Sequence, residues 1–440
     1  ESRVNPVADE HDAEVPTNRS LSLWLVNQYA LRIDQPGITR HATLAKYMYS
    51  EGVRTTIFAS PTHYWNVGDV GDETPDPEAP RFRYSRTPAI EANGIRRLLS
   101  MLSFSVRVLL SATTKTRGAP PDVVFGSSPH PFGALAAWAI ARRYRVPFLL
   151  EVRDLWPDSL IHLLGLSSRH PLIVMMRMLE RFLYRQARMV ITLLPDSRAH
   201  IHRVAGRPVS VLCIPNGSDL TRVPPAKELA AHDGIRVMYA GAHGVANALH
   251  LLLESAAELQ RLGRRDISIL LVGDGKDKQE LEARARSLDL QNVAFRDPVA
   301  KHELLDLLPE ADILVLPGLE SPLYRNGISP NKLFDYLAAA RPIVMALDAP
   351  SNPVTLAKAG VVVRPGDTQA LTQGILEIAG WTSERRNHVG MQGRRYVEDY
   401  HDMRGLARQL AQALATATAG CPASRDGVKR RSRHQGARSG

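Results

Sequence analysis

Several features that mark other protein classes are scarce in this sequence. It has only two cysteines, Cys213 and Cys421, and their spacing suits neither a disulfide framework nor a metal site, which favours a reducing cytoplasm. No apolar run reaches the roughly 18 residues that a membrane-spanning helix needs, since arginines interrupt even the stretch 136–150. The six-residue dinucleotide fingerprint and the phosphate loop ending in Gly-Lys-Ser/Thr do not occur. Disulfide-rich secreted scaffolds and membrane-spanning proteins are therefore excluded.

Acidic residues are fewer than basic ones, and the chain therefore carries a formal net charge of +10 with a pI near 9.7. Such a balance suits nucleic acid, an anionic membrane or phosphorylated substrates, and charge alone does not choose among them. The segment 419–440 is rich in Arg, Gly and Ser, and the segment 1–20 is polar without the apolar core of a signal peptide. We expect both to be disordered.

Short apolar runs alternate with amphipathic patterns in both halves of the chain, from 21 to 220 and again from 230 to 385. Turn signals around 216–225 separate the two sets. This predicts two doubly wound, Rossmann-like α/β domains whose strand ends face a shared cleft. A pattern at 394–418 predicts a last helix that crosses back to the first domain, and the polar stretch 60–88 predicts a long exposed loop.

The stretch 327–344 contains the strongest local signal. Ser329-Pro330 predicts a helix capped by the Ser329 hydroxyl and starting at Pro330. Lys332 and Asp335 then lie within two turns of a helix N-terminus, where unpaired N–H groups and the helix dipole attract phosphate. We interpret the stretch as a phosphate cradle whose carboxylate can accept from sugar hydroxyls. An ordinary capped surface helix is the alternative.

Glycine-containing turns follow three of the predicted strands: Gly37, 241–244 with His243 between its two glycines, and 273–275. Each turn lets backbone N–H groups approach an anion, although a tight turn between strand and helix explains them equally well.

Arg153 and Asp154 come directly after the predicted strand 147–152, where open α/β sheets place their ligands. Either these side chains contact a substrate, or Asp154 caps the next helix. The helical patterns 95–112 and 172–186 combine apolar stripes with arginines. They predict either core packing with a basic rim or contact with an anionic membrane.

In their order and spacing, these motifs resemble the retaining, nucleotide-sugar-dependent glycosyltransferases of family 4, which have the GT-B architecture of two facing Rossmann-like domains. The resemblance covers roughly residues 22–418. The segments that carry it are 27–29, 37–41, 151–158, 180–184, 214–217, 272–275 and 329–336. The sequence is most similar to the bacterial subgroup of O-antigen and capsule assembly that resembles N-acetylfucosamine transferases.

The resemblance implies roles for the candidate residues. Asp154 would orient the acceptor hydroxyl or accept its proton, Arg153 would be its partner, and Lys332 would stabilise the leaving diphosphate. Asp335 would bind the ribose of the donor. The implied donor contacts are Gly37, Gly241, His243, Gly244, Gly273, Ser329, Asn331, Lys332 and Asp335. Two positions depart from the family: its first acidic residue falls at Gly327, and Val245 stands where many relatives carry Arg or Lys.

The resemblance also implies an activity and its setting. A sugar, such as an N-acetylated deoxyhexosamine, would pass from a UDP-type donor to a polyprenyl-diphosphate-linked acceptor in bacterial surface polysaccharide synthesis. The enzyme would lie in the cytoplasm, peripheral on the inner face of an anionic cell membrane, with no metal or other cofactor and no nucleic-acid partner; its oligomeric state is not predicted. A UDP-sugar 2-epimerase of the same architecture and a catalytically inactive, transferase-like partner subunit remain open.

Overall fold

Two parallel β-sheets, built from the two halves of the chain, form the framework of the protein. The computed structural model describes residues 20–35, 37, 39–61, 78–88, 95–113, 119–158, 161, 167–226 and 232–419. The segments 1–20 and 419–440, predicted to be disordered, lie almost entirely outside these residues.

The strands of the first sheet are β1 (Leu21–Val26), β2 (Val53–Ala59), β3 (Arg81–Tyr84), β4 (Val123–Ser127), β5 (Phe148–Val152), β6 (Met189–Thr192) and β7 (Val211–Cys213). They follow the order β3-β2-β1-β4-β5-β6-β7, and neighbouring strands are parallel. The central strands β4 and β5 are buried along their whole length, as expected of parallel strands covered by helices on both faces.

Strand β3 was not predicted, because its stretch looked like part of an exposed loop. Its four residues alternate, so that Phe82 is buried in the core while Arg81 faces solvent. Phe82 pairs with Ile57 of β2 at the edge of the sheet. Arginines on an edge strand oppose pairing with another chain. The prediction of a long exposed loop from 60 to 88 was therefore wrong for Arg81–Tyr84, and residues 62–77 of that stretch lie outside the described residues.

The helices of the first domain are α1 (Arg40–Ser50), α2 (Ile95–Thr113), α3 (Pro131–Tyr144), α4 (Pro171–Gln186) and α5 (Arg198–Ala205). Helices α2 to α5 contribute to one core cluster, on one face of the sheet. Helix α1 contributes to the cluster on the other face. No helix in the described part of the chain has the length and apolar character needed to cross a bilayer.

The second half repeats the same architecture. Its strands are β8 (Ile235–Ala240), β9 (Ile267–Val272), β10 (Val293–Arg296), β11 (Ile313–Leu316), β12 (Ile343–Met345) and β13 (Gly360–Val362). Its helices are α6 (Leu249–Arg261), α7 (Lys278–Ser287), α8 (Lys301–Leu307), α9 (Asn331–Ala338), α10 (Pro353–Ala357) and α11 (Thr368–Ala379). The strand order β10-β9-β8-β11-β12-β13 matches the first six strands of the first sheet. The predicted pair of doubly wound domains is confirmed.

The chain ends in two helices, α12 (Ser383–Tyr400) and α13 (Met403–Thr418), where a single helix over 394–418 was predicted. The break is fixed by the linker between the sheets, because the Ser218 N–H donates to the His401 carbonyl at 3.0 Å and the Met403 N–H donates to the Ser218 carbonyl at 3.1 Å. Helix α12 packs on α9, and α13 packs on α1 in the core of the first domain. The predicted return to the first domain is confirmed, with a corrected helix boundary.

Candidate active site

The carboxyl ends of both sheets carry the polar residues that the sequence indicates. In each sheet the strand order reverses beside the first strand, between β1 and β4 and between β8 and β11. Open α/β sheets bind ligands outside the strand ends at such a reversal. In the first sheet Asn27 follows β1 and Ser127 ends β4, and in the second sheet Gly241 follows β8.

Helix α9 begins at Asn331, one residue later than predicted, and Pro330 takes the cap position without a side-chain bond. The Ser329 hydroxyl does not cap the helix. It accepts instead from the Asn216 N–H of the linker at 2.8 Å, because the linker lies close enough to compete for it. Ser329 therefore connects the two domains, and the exposed Asn331 opens the helix beside the cavity between them.

Lys332 lies against the glycine loops of the second sheet. Its Nζ donates to the Tyr239 hydroxyl at 2.7 Å and to Oδ1 of Asn247 at 2.6 Å, and it lies 4.6 Å from the centre of the Tyr239 ring. A Cβ at Gly241 would lie 2.8 Å from this nitrogen, and the φ of 152° at this position favours glycine. Burial lowers the pKa of Lys332 to about 7. No carboxylate of the described residues pairs with the amine.

The two glycine loops pack directly on each other. A Cβ at Gly273 would lie 2.0 Å from the Gly241 carbonyl oxygen. The His243 ring beneath them is fully buried, and neither of its ring nitrogens has a hydrogen-bond partner among the described residues. Burial lowers the pKa of His243, so the ring is neutral at pH 7. In these loops Gly273 is buried, Gly241 and Gly244 are partly exposed, and Ala242 and Asp274 are exposed.

Asp335 faces the linker rather than the glycine loops. One carboxylate oxygen accepts from the Ser218 hydroxyl at 3.0 Å, and the other pairs with Lys301 at the start of α8. The side chain is almost buried and lines a cavity between the domains together with Gly37 and Asn216. Lys332 and Asp335 both lie in the first two turns of α9, as predicted, but they contact different partners.

Asp154 and Arg153 lie at the carboxyl end of β5, as predicted. Asp154 is exposed at the surface of the protein. The protein packed around its carboxyl still removes part of the solvation and raises its pKa, and the positive charge of Arg153 partly opposes that rise. Nη1 of Arg153 is buried without a partner among the described residues. Residues 159–166, which follow this strand end and bear on the alternative that Asp154 caps the next helix, lie outside the described residues apart from residue 161.

A buried network of polar side chains lies beneath this strand end. Glu151 accepts from Arg40 Nε at 3.2 Å, from the Ser127 hydroxyl at 2.6 Å and from His41 Nε2 at 2.7 Å. The Asn27 amide donates to Ser127 Oγ at 3.1 Å and lies 3.1 Å from His41 Nδ1. Each of these side chains is buried, so the network is satisfied internally rather than by water.

The charge state of the network follows from its geometry. Burial acts to raise the pKa of Glu151, but His41, Arg40 and Arg153 together hold it well below its usual range. Burial lowers the pKa of His41. A neutral ring fits the contacts, because Nδ1 can accept from the Asn27 amide while Nε2–H donates to Glu151.

Arg40 extends the network to the linker. Its guanidinium donates to the Pro215 carbonyl at 2.5 Å and to the Ile214 carbonyl at 2.7 Å. Among the next linker residues, Asn216 bonds to Ser329 just before α9, and Ser218 bonds to Asp335 within it. Strand β5 of the first sheet and helix α9 of the second domain are thus connected through Arg40.

Gly327, at the family's first acidic position, packs against the first domain. It has φ of 92°, and a Cβ there would lie 2.6 Å from Pro195 Cδ and 3.1 Å from Oδ2 of Asp196. The Asp196 N–H donates to the Asn326 carbonyl at 3.1 Å, and its carboxylate accepts from the Ser351 hydroxyl at 2.8 Å. A carboxylate from the first domain therefore lies where an acidic side chain at 327 would begin.

Two family models match the chain, one for each sheet. Residues 37–217 match the glycosyl transferase 4-like domain, and residues 234–380 match the glycosyl transferases group 1 domain. The chain is a glycosyltransferase. None of the curated proteins compared with it matches.

Solved structures give this glycosyltransferase the GT-B fold. Sucrose-phosphate synthase from Thermosynechococcus elongatus has a TM-score of 0.72 at 17% identity, over 90% of this chain and 98% of its own. HepE from Anabaena, solved with UDP-glucose, has a TM-score of 0.63 at 13% identity, over 90% and 100%. WaaG, a glycosyltransferase involved in lipopolysaccharide biosynthesis, has 0.62 at 14%, over 90% and 99%. The predicted fold class is confirmed.

Sequence reasoning missed the four residues that contact Lys332 and Asp335: Tyr239, Asn247, Ser218 and Lys301. Tyr239 lies inside an apolar strand, and Lys301 begins a short helix far from α9 in the chain, so no spacing connects either of them to Lys332 or Asp335. Asn247 and Ser218 follow turns that the sequence did identify. A polar side chain directly after such a turn is the signal that could have been used.

Proposed function

We propose that this glycosyltransferase takes a sugar from a UDP-type nucleotide sugar and transfers it, with retention of configuration, to a polyprenyl-diphosphate-linked acceptor. The observation that carries the donor half of the proposal is Lys332, an amine without a carboxylate partner among the described residues, close to the N-terminus of α9 and against Gly241. A diphosphate placed there would meet the helix dipole, backbone N–H groups and this amine together.

Asp335 is the proposed ligand of the donor ribose, whose two hydroxyls would replace or join the bond from Ser218. Lys301 would hold the other carboxylate oxygen in place through their ion pair. The choice of a UDP-type donor is supported by HepE, which shares the fold and was solved with UDP and with UDP-glucose.

In the proposed reaction the acceptor hydroxyl oxygen bonds to the anomeric carbon as the bond from that carbon to the diphosphate oxygen breaks. Asp154 orients the hydroxyl or accepts its proton, and Arg153 holds the carboxylate in place. Negative charge grows on the leaving diphosphate, where protonated Lys332 and the amides of α9 stabilise it. This assignment requires no metal or other cofactor.

The proposal also includes the class of acceptor and the cellular setting of the enzyme. The structural relative WaaG acts in lipopolysaccharide biosynthesis, which supports a role in bacterial surface polysaccharide assembly such as O-antigen or capsule. We place the enzyme in the cytoplasm, peripheral on the inner face of the membrane, without a nucleic-acid partner. An N-acetylated deoxyhexosamine is the sugar we would test first.

Donor binding is tested by calorimetric titration and thermal unfolding of the full chain with UDP, GDP and ADP. We expect UDP to bind and to raise the unfolding temperature by mass action. If none of the three nucleotides does so, the donor proposal is wrong.

Incubation with UDP-N-acetylhexosamines then separates the alternatives. A labelled lipid-linked product supports the transferase. Release of an epimerised sugar without acceptor indicates the 2-epimerase instead, and nucleotide binding without any turnover indicates the inactive partner subunit.

A further inference from the structure

Exposed apolar side chains of the first domain are concentrated on two helices. Among the described residues, the large apolar side chains exposed in this domain are Leu99, Leu102, Val106 and Leu110 on α2 and Val174, Met175 and Met178 on α4. Val106 is 56% exposed and Met178 is 68% exposed. The helical spacing of the α2 residues puts them on one stripe. These side chains cannot be explained as core packing, because other side chains of the same helices already form the core.

The two stripes flank a third helix. Both α2 and α4 pack on α3, and all three cover the same face of the sheet. Trp138 of α3 packs edge-on against Phe182 of α4 with 4.8 Å between ring centres, and it closes the gap between these helices. The outer sides of α2, α3 and α4 therefore form one continuous surface, called the three-helix face below.

The charge on the three-helix face has one sign. Helices α2 and α3 contain no acidic residue, and the single acid of α4, Glu180, is buried with its carboxylate bonded to Tyr184. Exposed arginines lie beside the apolar stripes: Arg96, Arg107, Arg142, Arg177, Arg181 and Arg185. Apolar side chains surrounded by arginines alone are complementary to an anionic phospholipid surface, which offers acyl chains beneath a layer of phosphates.

We propose that the three-helix face docks on an anionic phospholipid bilayer, with its Leu, Val and Met side chains among the acyl chains and its arginines at the headgroup phosphates. In a βαβ unit a helix starts at the carboxyl edge of the sheet, so the N-termini of these helices lie on the side of Asp154. Docking would bring that edge of the cleft to the membrane surface. The functional value of bringing the cleft edge to the membrane rests on the proposed lipid-linked acceptor. The docking of the three-helix face does not depend on that proposal.

Vesicle flotation with the full chain tests the proposal. We expect binding to phosphatidylcholine vesicles containing phosphatidylglycerol, little binding to phosphatidylcholine alone, and weakening by salt. The double variant Val106→Asp/Met178→Asp places charge on both stripes and should lower the partition coefficient by about tenfold or more. The matched control Leu262→Asp/Leu356→Asp changes two exposed apolar residues of the second domain and should bind like the wild type.

Charge is tested separately. Arg177→Gln/Arg181→Gln should weaken flotation with anionic vesicles, and the control Arg265→Gln/Arg286→Gln on the second domain should not. Unchanged flotation of the Val106→Asp/Met178→Asp variant would overturn the proposal and assign membrane binding to another segment, such as the basic residues 420–440. A dimer in light scattering that this variant dissociates would also overturn it, since a second copy would then cover the face.

Unfolding temperature and UDP binding are measured on the same variants, and both should match the wild type. Loss of vesicle binding with intact UDP binding then reports on the three-helix face alone. Failure of UDP binding in the wild type would reject the proposed donor without affecting the docking result.

Discussion

The Ser218 hydroxyl donates to Oδ1 of Asp335 at 3.0 Å, which connects the linker between the sheets to helix α9. The backbone of Ser218 also pairs with His401 and Met403, where the chain crosses back to the first domain. A Cβ at Gly217 would lie 2.1 Å from the His401 carbonyl oxygen. Residue 217 must therefore be glycine for the linker and the segment at His401 to approach each other this closely. One short segment therefore sets both the relation of the domains and the position of Asp335.

Replacing Asp335 by Ala should weaken UDP binding by about 10- to 100-fold, the effect of losing one or two charge-assisted hydrogen bonds to the ribose. Titration calorimetry measures the change. Asp306→Ala, at an exposed position of α8, is the matched control and should bind as the wild type does. Equal affinities in the two variants would contradict the ribose assignment.

Replacing Asp154 by Asn should leave UDP affinity unchanged and lower kcat by about 100-fold or more, since general acid–base groups contribute on that scale. Because burial raises the pKa of Asp154, the acid limb of the wild-type kcat profile should lie above the ordinary carboxylate value of 3.8, and the variant should lack it. Asp158→Asn in the same loop is the control. A variant with full turnover would show that Asp154 takes no part in the chemistry.

The fold was predictable because its signals are local. Buried parallel strands are short apolar runs, and the helices between them keep a regular apolar spacing, so both doubly wound domains could be recognised from the residues. Strand β3 was missed because four residues with alternating arginines give too short a pattern. The break at His401 could not be predicted, since bonds to Ser218 in a distant part of the chain determine it.

The candidate site was predictable only where its residues sit in motifs. Lys332, Asp335 and Asp154 stand directly beside helix or strand boundaries, and the structure brings them to the carboxyl edges of the sheets. The hydrogen-bond partners of the site residues could not be predicted from the sequence. Ser329 contacts Asn216 across the domains rather than capping its own helix, and such contacts depend on how two separate sheets come together.

Replacing Gly327 by Ala should destabilise the protein by about 1–3 kcal/mol, because the backbone has a positive φ and the added Cβ would meet Pro195. Chemical denaturation measures the loss. Gly405→Ala is the control: nothing lies within 4 Å of its added Cβ, so no loss is expected. An equally stable Gly327→Ala variant would mean that the contact with Pro195 and Asp196 is not formed in solution.

Replacing Glu151 by Gln should cost about 3–5 kcal/mol, because Arg40 would be left as a buried charge without its partner. Glu258→Gln, which removes an exposed pair with Arg261, should leave the free energy of unfolding unchanged.

The free energy of unfolding that this network contributes should fall as the pH falls. The lowered pKa of Glu151 contributes stability above the ordinary value of 4.5, and that stability is lost as the pH falls. The lowered pKa of His41 acts in the same direction below 6.5, because the unfolded chain takes up a proton there. Wild-type stability should thus fall with acidification, and Glu151→Gln should show a shallower slope. Parallel pH curves would contradict the network.

The lowered pKa of Lys332 predicts proton uptake on donor binding. With a pKa of about 7 in the free protein, the amine is largely neutral at pH values well above 7, whereas a bound diphosphate favours the ammonium form. UDP binding above that pH should therefore take up a proton, and affinity should fall with rising pH by at most about tenfold per unit. Below the pKa the ammonium is already present, and this group adds no pH dependence.

Calorimetry at a pH of about 8.5, in two buffers with different ionisation enthalpies, measures that proton directly. Lys332→Met should abolish the uptake and weaken UDP binding, while the exposed Lys358→Met control should change neither. The same pKa also affects stability: the unfolded chain binds a proton that the folded chain lacks between about 7 and 10.5, so the contribution of Lys332 to stability should rise with pH across that window and disappear in Lys332→Met. If the UDP affinity is the same above and below the pKa of Lys332 and no proton is taken up, the assignment of this amine to the diphosphate is wrong.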